Sequence, residues 1–231
     1  VEYASGAVVF LDPEELFARE PYSARFRDVD TGQEFATATV HIVFGDGVSD
    51  RLPEIDALAD YWQWLGDVYP DSPRLLMGDF NLSPDHPSWE ALRRLGAEPA
   101  ITDGRTTLGT TAGYASLYDN IWYEADSLSP SDQGILKFPA LLPLDHVTAR
   151  ERVSDHAPVY IGLNGGRLTP ISTGGGQSTR QRAASTSTTA LPAGWNPCRT
   201  SVPPGPRTSS RAGPGWRGKN SPTYAASVRG V

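Results

Sequence analysis

One stretch constrains this chain more than any other: Leu75-Leu76-Met77-Gly78-Asp79-Phe80-Asn81, an apolar run that breaks off in Gly-Asp-Phe-Asn. The run has the length of a short buried strand, and its polar end falls where such a strand leaves its sheet. On extended chain, residues two apart point to the same side, so Asp79 and Asn81 would share one face at the mouth of the sheet. A carboxylate and a carboxamide placed there can hold a hydrated cation or a phosphate. Gly78 removes a side chain where something must come close. The same residues also suit a plain strand end closed by an Asx turn. What separates the two readings lies elsewhere in the chain.

Around this stretch, strands are expected over residues 7–11, 22–26 and 35–44, with the hairpin signal Asp-Val-Asp-Thr-Gly between the last two. Residues 49–69 form the clearest helix. Ile55, Leu58, Trp62, Leu65 and Tyr69 recur at three- and four-residue steps, and Pro70 and Pro73 end it. A short helix over 88–95 is closed by Gly96, and a hydroxyl-rich loop covers 106–111. A strand over 117–123, a loop with a short strand over 127–138 and an apolar strand ending near Leu163 complete the body. Strands alternating with amphipathic helices give an α/β class with mixed sheets.

Composition divides the chain in two. Residues 1–164 carry 27 acids against 11 bases, and residues 165–231 carry 9 bases and no acid, which together give the net charge of −7. The acidic body lacks the usual footprint of a protein that holds nucleic acid by charge. It suits a site that concentrates divalent cations. The Gly/Pro/Ser/Thr/Arg-rich segment 165–231 has almost no periodicity and is expected to be a disordered basic tail. Its alternatives are a misframed reading of a GC-rich gene and, less well supported, a basic arm for DNA. The single Cys198 excludes an internal disulfide framework and a four-cysteine metal site. No run of 18 apolar residues exists to span a membrane, and no basic-then-apolar leader is visible.

Three short segments carry the chemistry: Gly78-Asp79-Phe80-Asn81, Tyr118-Asp119-Asn120-Ile121 and Ser154-Asp155-His156. Their Asp residues are 40 and then 36 positions apart, each at an expected strand end. With His41 they supply three carboxylates, a carboxamide and two imidazoles. Arg19-Glu20-Pro21, then Arg25-Phe26, then a Val-His pair at Val40-His41 precede them in order.

In this motif set the chain resembles the endonuclease/exonuclease/phosphatase superfamily, and most closely its deoxyribonuclease I-like branch. The resemblance covers residues 1 to about 163. It implies two mixed β-sheets packed as a sandwich with flanking helices, and a site in a cleft at one edge. It implies metal-dependent hydrolysis of DNA phosphodiesters with little sequence preference, using Mg²⁺ or Mn²⁺, with Ca²⁺ as a candidate structural ion. By position, Asp155 matches a metal-binding Asp and His156 a catalytic His. Asp119 matches the Asp beside that His, while Asp79 and Asn81 match the pair that orients water or phosphate oxygens. His41 matches a second catalytic His near the leaving group, and Arg19 and Asn120 match the phosphate-contacting positions. The family's early Asn and two Glu residues have no counterpart, since Glu2 sits too late. The resemblance therefore implies a domain incomplete at its N-terminus, with one sheet face left exposed.

Each residue also has a plainer role. His41 can be a half-buried strand histidine, Asp119 and Asn120 strand-end polar groups, Asp155-His156 a turn before Pro158, and Arg19 a partner of a surface acid. His86 and His146 sit in expected loops without a matching role. The Trp62/Trp64 pair reads as core and surface, and Thr106, Thr107 and Thr110 are weaker candidates for touching a DNA backbone. Two other functions stay open at this stage. One is a phosphatase or phospholipid phosphodiesterase of the same superfamily, of inositol phosphatase or sphingomyelinase type. The other is an inactive fragment acting as a binding module. DNA is the expected partner, a membrane is not, and export from a bacterium is compatible with the composition.

Overall fold

The computed structural model describes residues 1–169; the expected tail lies outside the described residues from 170 onward. Among the described residues there are eight strands and three α-helices. In chain order these are β1 (Glu2–Val9), β2 (Tyr22–Arg27), β3 (Glu34–His41), α1 (Leu52–Val68), β4 (Arg74–Asp79), α2 (Glu90–Arg94), β5 (Ala97–Pro99), β6 (Asp119–Glu124), β7 (Asp132–Ile135), α3 (His146–Arg152) and β8 (Val159–Gly162). Six strands form one mixed sheet in the order β1-β2-β3-β4-β6-β5, and β7 and β8 form a second, two-stranded sheet. The class is the α/β sandwich that the sequence implies.

The large sheet is antiparallel except at its centre, where β3 and β4 run parallel, Val40 opposite Gly78 and His41 opposite Asp79. A parallel pair needs a crossover, and α1 supplies it. Ile55, Leu58, Trp62, Leu65 and Tyr69 are all buried, as their spacing predicts, and Tyr61 joins them. They meet Ala36, Ala38, Val40, Leu76 and Trp122 on the sheet. The two alanines leave room for this bulky helix face. On the opposite face, Leu75 and Ile121, with Met77 and Tyr123, meet Ile135, Val159 and Ile161 of the small sheet. Further along that face, Tyr3, Val9 and Tyr22 stay 59%, 52% and 44% exposed, with no covering layer among the described residues.

Several boundaries differ from the sequence reading. The first strand begins at Glu2, because two register shifts against β2 and Gly6 at φ 69° break the alternation that would reveal it. The third stops at His41. Beyond it, Val43 donates its N–H to the Glu54 side chain rather than to a neighbouring strand. The sequence patterns mark neither the short β5 nor the helix α3. Asp145 caps α3 by accepting from Thr148 N at 2.9 Å, so His146 opens a helix and is not in a loop.

Candidate active site

The register of the central strands builds the site. His41 stands opposite Asp79 across β3 and β4, and Asp79 stands opposite Asp119 across β4 and β6. Residues up to 78 positions apart thus end side by side at one mouth of the sheet. The loop before β8 brings His156 to the same place. These four, with Phe44, Asn81, Ser154 and Asp155, line an open cleft of about 510 Å³.

Asp79 is the hub. Its Oδ2 lies 3.7 Å from His41 Nε2 and 3.8 Å from His156 Nε2. The other ring nitrogen of His156, Nδ1, is 2.8 Å from Asp119 Oδ2. An ionised carboxylate can only accept, so Nδ1 carries the proton and Nε2 turns toward the cleft. The Asp119 hydrogen bond, helped by the charges of Asp119, Asp79 and Asp155, raises the His156 pKa against the opposing effect of burial. Burial pushes the Asp79 carboxyl above its usual range. Asp119 adds to that, while the Asn81 N–H and the two histidines work against it.

Gly78 and Asn81 show how the backbone delivers this hub. A Cβ on Gly78 would stand 1.9 Å from Val40 O, so only glycine allows β3 and β4 to approach here. Asn81 does not sit on extended chain. At φ 50° it closes an Asx turn, donating its N–H to Asp79 Oδ1 at 3.0 Å. Its buried Nδ2 donates to Ile42 O at 2.7 Å. The two readings of Gly-Asp-Phe-Asn therefore coexist: the turn is the device that carries Asp79 and Asn81 to the cleft.

The other expected residues divide. Asp155 lines the cleft, exposed, with Arg150 Nη2 at 3.6 Å. Arg19 is exposed beyond the cleft lining, and its Nη1 donates to His41 O at 3.4 Å. Asn120 does not fit a phosphate contact. It is 3% exposed, its Oδ1 accepts from Ile101 N, and its Nδ2 donates to Ile101 O at 2.7 Å. Thr106 is likewise buried, so its hydroxyl is not presented to a DNA backbone. Its hydroxyl oxygen accepts from the N–H groups of Tyr118 and Asp119, both at 3.1 Å, and so holds Asp119 in place.

Sequence reasoning missed the supporting groups. Arg150 on α3 donates to Leu108 O, and Leu108 N donates to Asp155 O, which ties α3 to the loop before His156. Arg51 and Glu54 at the start of α1 are buried charges that touch loops around the cleft. Glu54 gave one signal. It shares the helical stripe of Leu58, Tyr61 and Leu65, an acid at an apolar position.

The donor set fits a divalent cation. One ligand atom each from Asp79, Asp119 and His156 lies within 4.8 Å of the others. Three carboxylates line the cleft, and among the described residues no lysine or arginine does. Such a cleft repels a phosphate unless a cation stands between them. Asp79 and Asp119 supply hard oxygen atoms of the kind that divalent cations such as Mg²⁺ and Mn²⁺ prefer.

No family model matches the chain. Over 178 residues it is 51% identical to a deoxyribonuclease of Thioalkalivibrio sp. (strain K90mix), covering 73% of this chain and 49% of that one. It is 31% identical over 161 residues to deoxyribonuclease-1 of Oryctolagus cuniculus, covering 64% of this chain and 54% of the relative. The chain thus spans about half the length of these curated relatives. Among solved structures, a functionally unknown conserved protein of Enterococcus faecalis V583 aligns with a TM-score of 0.50 at 18% identity, over 68% of this chain and 60% of that one, a likeness of fold.

Proposed function

Because the chain belongs to the deoxyribonuclease I-like branch of the endonuclease/exonuclease/phosphatase superfamily, we propose that it carries the catalytic half-site of a metal-dependent endonuclease that hydrolyses DNA phosphodiesters with little sequence preference. The observation that carries this reading is the Asp119–His156–Asp79–His41 series at one sheet mouth.

In this reading Asp119 fixes the His156 ring, and His156 Nε2 accepts the proton of the attacking water. The water oxygen bonds to phosphorus as the ester P–O bond breaks. His41, across Asp79, gives a proton to the departing oxygen. Arg19, at the rim beside His41, holds a non-bridging phosphate oxygen. Asp79, Asp119 and Asp155 would hold Mg²⁺ or Mn²⁺, which when bound neutralises charge on the phosphate. Asp79 and Asn81 orient the water. DNA specificity rests on the relatives' names, because one fold serves many phosphate esters.

The test is plasmid nicking by the full chain with Mg²⁺ or Mn²⁺, with EDTA, and with His156→Ala. Nicking that needs both metal and His156 is the expected result. Turnover of sphingomyelin or inositol phosphates in preference to DNA would overturn the nuclease assignment.

A further inference from the structure

Two buried charges at the start of α1 point toward the site without entering it. Glu54 is 4% exposed and makes no ion pair among the described residues. Its Oε1 accepts from Ala18 N and its Oε2 from Val43 N, each at 3.0 Å. Ala18 precedes Arg19, and Val43 lies two residues beyond His41. One carboxylate therefore ties the Arg19 segment to the His41 segment.

Arg51, 6% exposed, does the same for the other side. Its Nε donates to Phe44 O at 2.8 Å. Its Nη1 donates to Asn81 O and, at 3.3 Å, to Tyr118 OH. The guanidinium also stacks over the Phe44 and Tyr118 rings. Tyr118 precedes Asp119. Arg51 likewise makes no ion pair among the described residues, so both charges are satisfied mainly by loop backbone and aromatic groups.

A buried ion with no counter-ion is costly to keep, and an apolar residue would serve the core of α1 better. Arg51 caps the crossover helix and Glu54 stands in its first turn. They reach four segments that are far apart in sequence, each carrying one or more site residues. We infer that Glu54 and Arg51 are positioning residues, which fix the Arg19, His41, Asn81 and Asp119 segments relative to one another from the first turn of α1. This rests on the nuclease reading above. Neither residue touches the reacting atoms. Glu54 sets the distance between the phosphate clamp and the leaving-group histidine, and Arg51 sets the Asn81 turn against Asp119.

The test uses the full chain, Glu54→Gln and Arg51→Lys. Glutamine has the same shape but turns an NH₂ toward one of the two N–H donors, so one tie is lost. Lysine keeps the charge but cannot reach three acceptors with a fixed fork. Amide exchange is read without substrate at Ala18, Val43 and the interior of α1, and kcat and KM are read on plasmid DNA with Mg²⁺. In Glu54→Gln, exchange speeds up at Ala18 and Val43 while the α1 interior is unchanged. In both variants kcat falls about 10²-fold, the scale of a misplacement of roughly 1 Å, and KM moves far less. Unchanged exchange at Ala18 and Val43, or unchanged kcat, would overturn the inference. So would faster exchange across the whole sheet with a matching fall in thermal midpoint, which marks a merely structural role. A wild-type chain that cleaves no DNA overturns the nuclease reading of this chain, and the kcat arm falls with it; a failed clamp shows instead as unchanged exchange at Ala18 and Val43, read without substrate, so the two failures are distinct.

Discussion

Gly78→Ala is the sharpest perturbation the fold offers. The new Cβ would meet Val40 O at 1.9 Å and Val40 C at 2.9 Å, where real Cβ atoms essentially never come within 3.0 Å, so β3 must retreat by at least 1.1 Å. The neighbouring ladder bond, Ile42 N to Asp79 O, is 2.9 Å long and would stretch to about 4 Å, beyond hydrogen-bonding range. Losing two such bonds costs about 1 kcal/mol each. Holding alanine at the φ of 149° seen for Gly78 adds a penalty of roughly 1–3 kcal/mol. The sum is about 3–5 kcal/mol, which for a body of this size lowers the thermal midpoint by about 10 °C. His41 and Asp79 also move apart, so turnover falls by about 10²-fold even below the transition. Thermal and urea unfolding followed by circular dichroism read the first effect. An alanine variant that melts within about 2 °C of wild type would refute the close β3–β4 approach on which the site geometry depends.

Three further outcomes follow from the site. Asp119→Asn removes the main cause of the raised His156 pKa and leaves burial opposed only by the weaker charges of Asp79 and Asp155, so the His156 titration midpoint drops; proton NMR in metal-free buffer reads it, and an unmoved midpoint contradicts the pairing. Because the folded value is raised, the pairing stabilises the fold most fully below pH about 6.5, and the benefit is lost as pH rises through the folded value. Asp79→Asn removes a carboxylate that burial disfavours, so the variant melts a few degrees higher at pH 7 while turnover falls. The raised Asp79 value makes the ionised group a liability as pH climbs above it, so the stability gap closes toward pH about 3; a variant less stable than wild type at pH 7 would contradict this. Asn120→Ala leaves Ile101 N, Ile101 O and Ile121 N without their side-chain partner. Urea unfolding then registers a loss of about 2–4 kcal/mol, with KM unchanged; intact stability with a raised KM would return Asn120 to a phosphate role.

What the sequence made legible here is what side-chain periodicity and motif order encode. The α1 face, the strand ending at Asp79 and the three Asp-bearing segments all came through, because each is a local pattern whose partner is fixed by register. What stayed hidden depends on backbone groups of distant segments. Thr106 reads as one hydroxyl among several in a polar loop, yet its oxygen holds Asp119. Asn120 sits in the motif beside Asp119, but strand alternation turns it away to Ile101. The helix α3 is too short to show a periodic face, and its cap at Asp145 is one acid in a loop of mixed composition.

The same contrast explains why the site is built as it is. Side chains that meet substrate must be reactive, and reactive groups such as the half-buried Asp79 are unfavourable where they stand. They cannot hold themselves in place. Their positions are set by supporting contacts: glycine at the β3–β4 crossing, and, recorded in no motif, the Thr106 hydroxyl behind Asp119 and the Glu54 carboxylate between Ala18 and Val43. Substituting a side chain that faces the cleft should therefore remove chemistry while sparing or raising stability, as for Asp79→Asn. Substituting a support should lower turnover through geometry. Measured together, kcat and thermal midpoint sort the residues around this cleft into one group or the other, and a cleft-facing side chain such as Asp79 whose loss destabilises the fold without changing turnover would break the division.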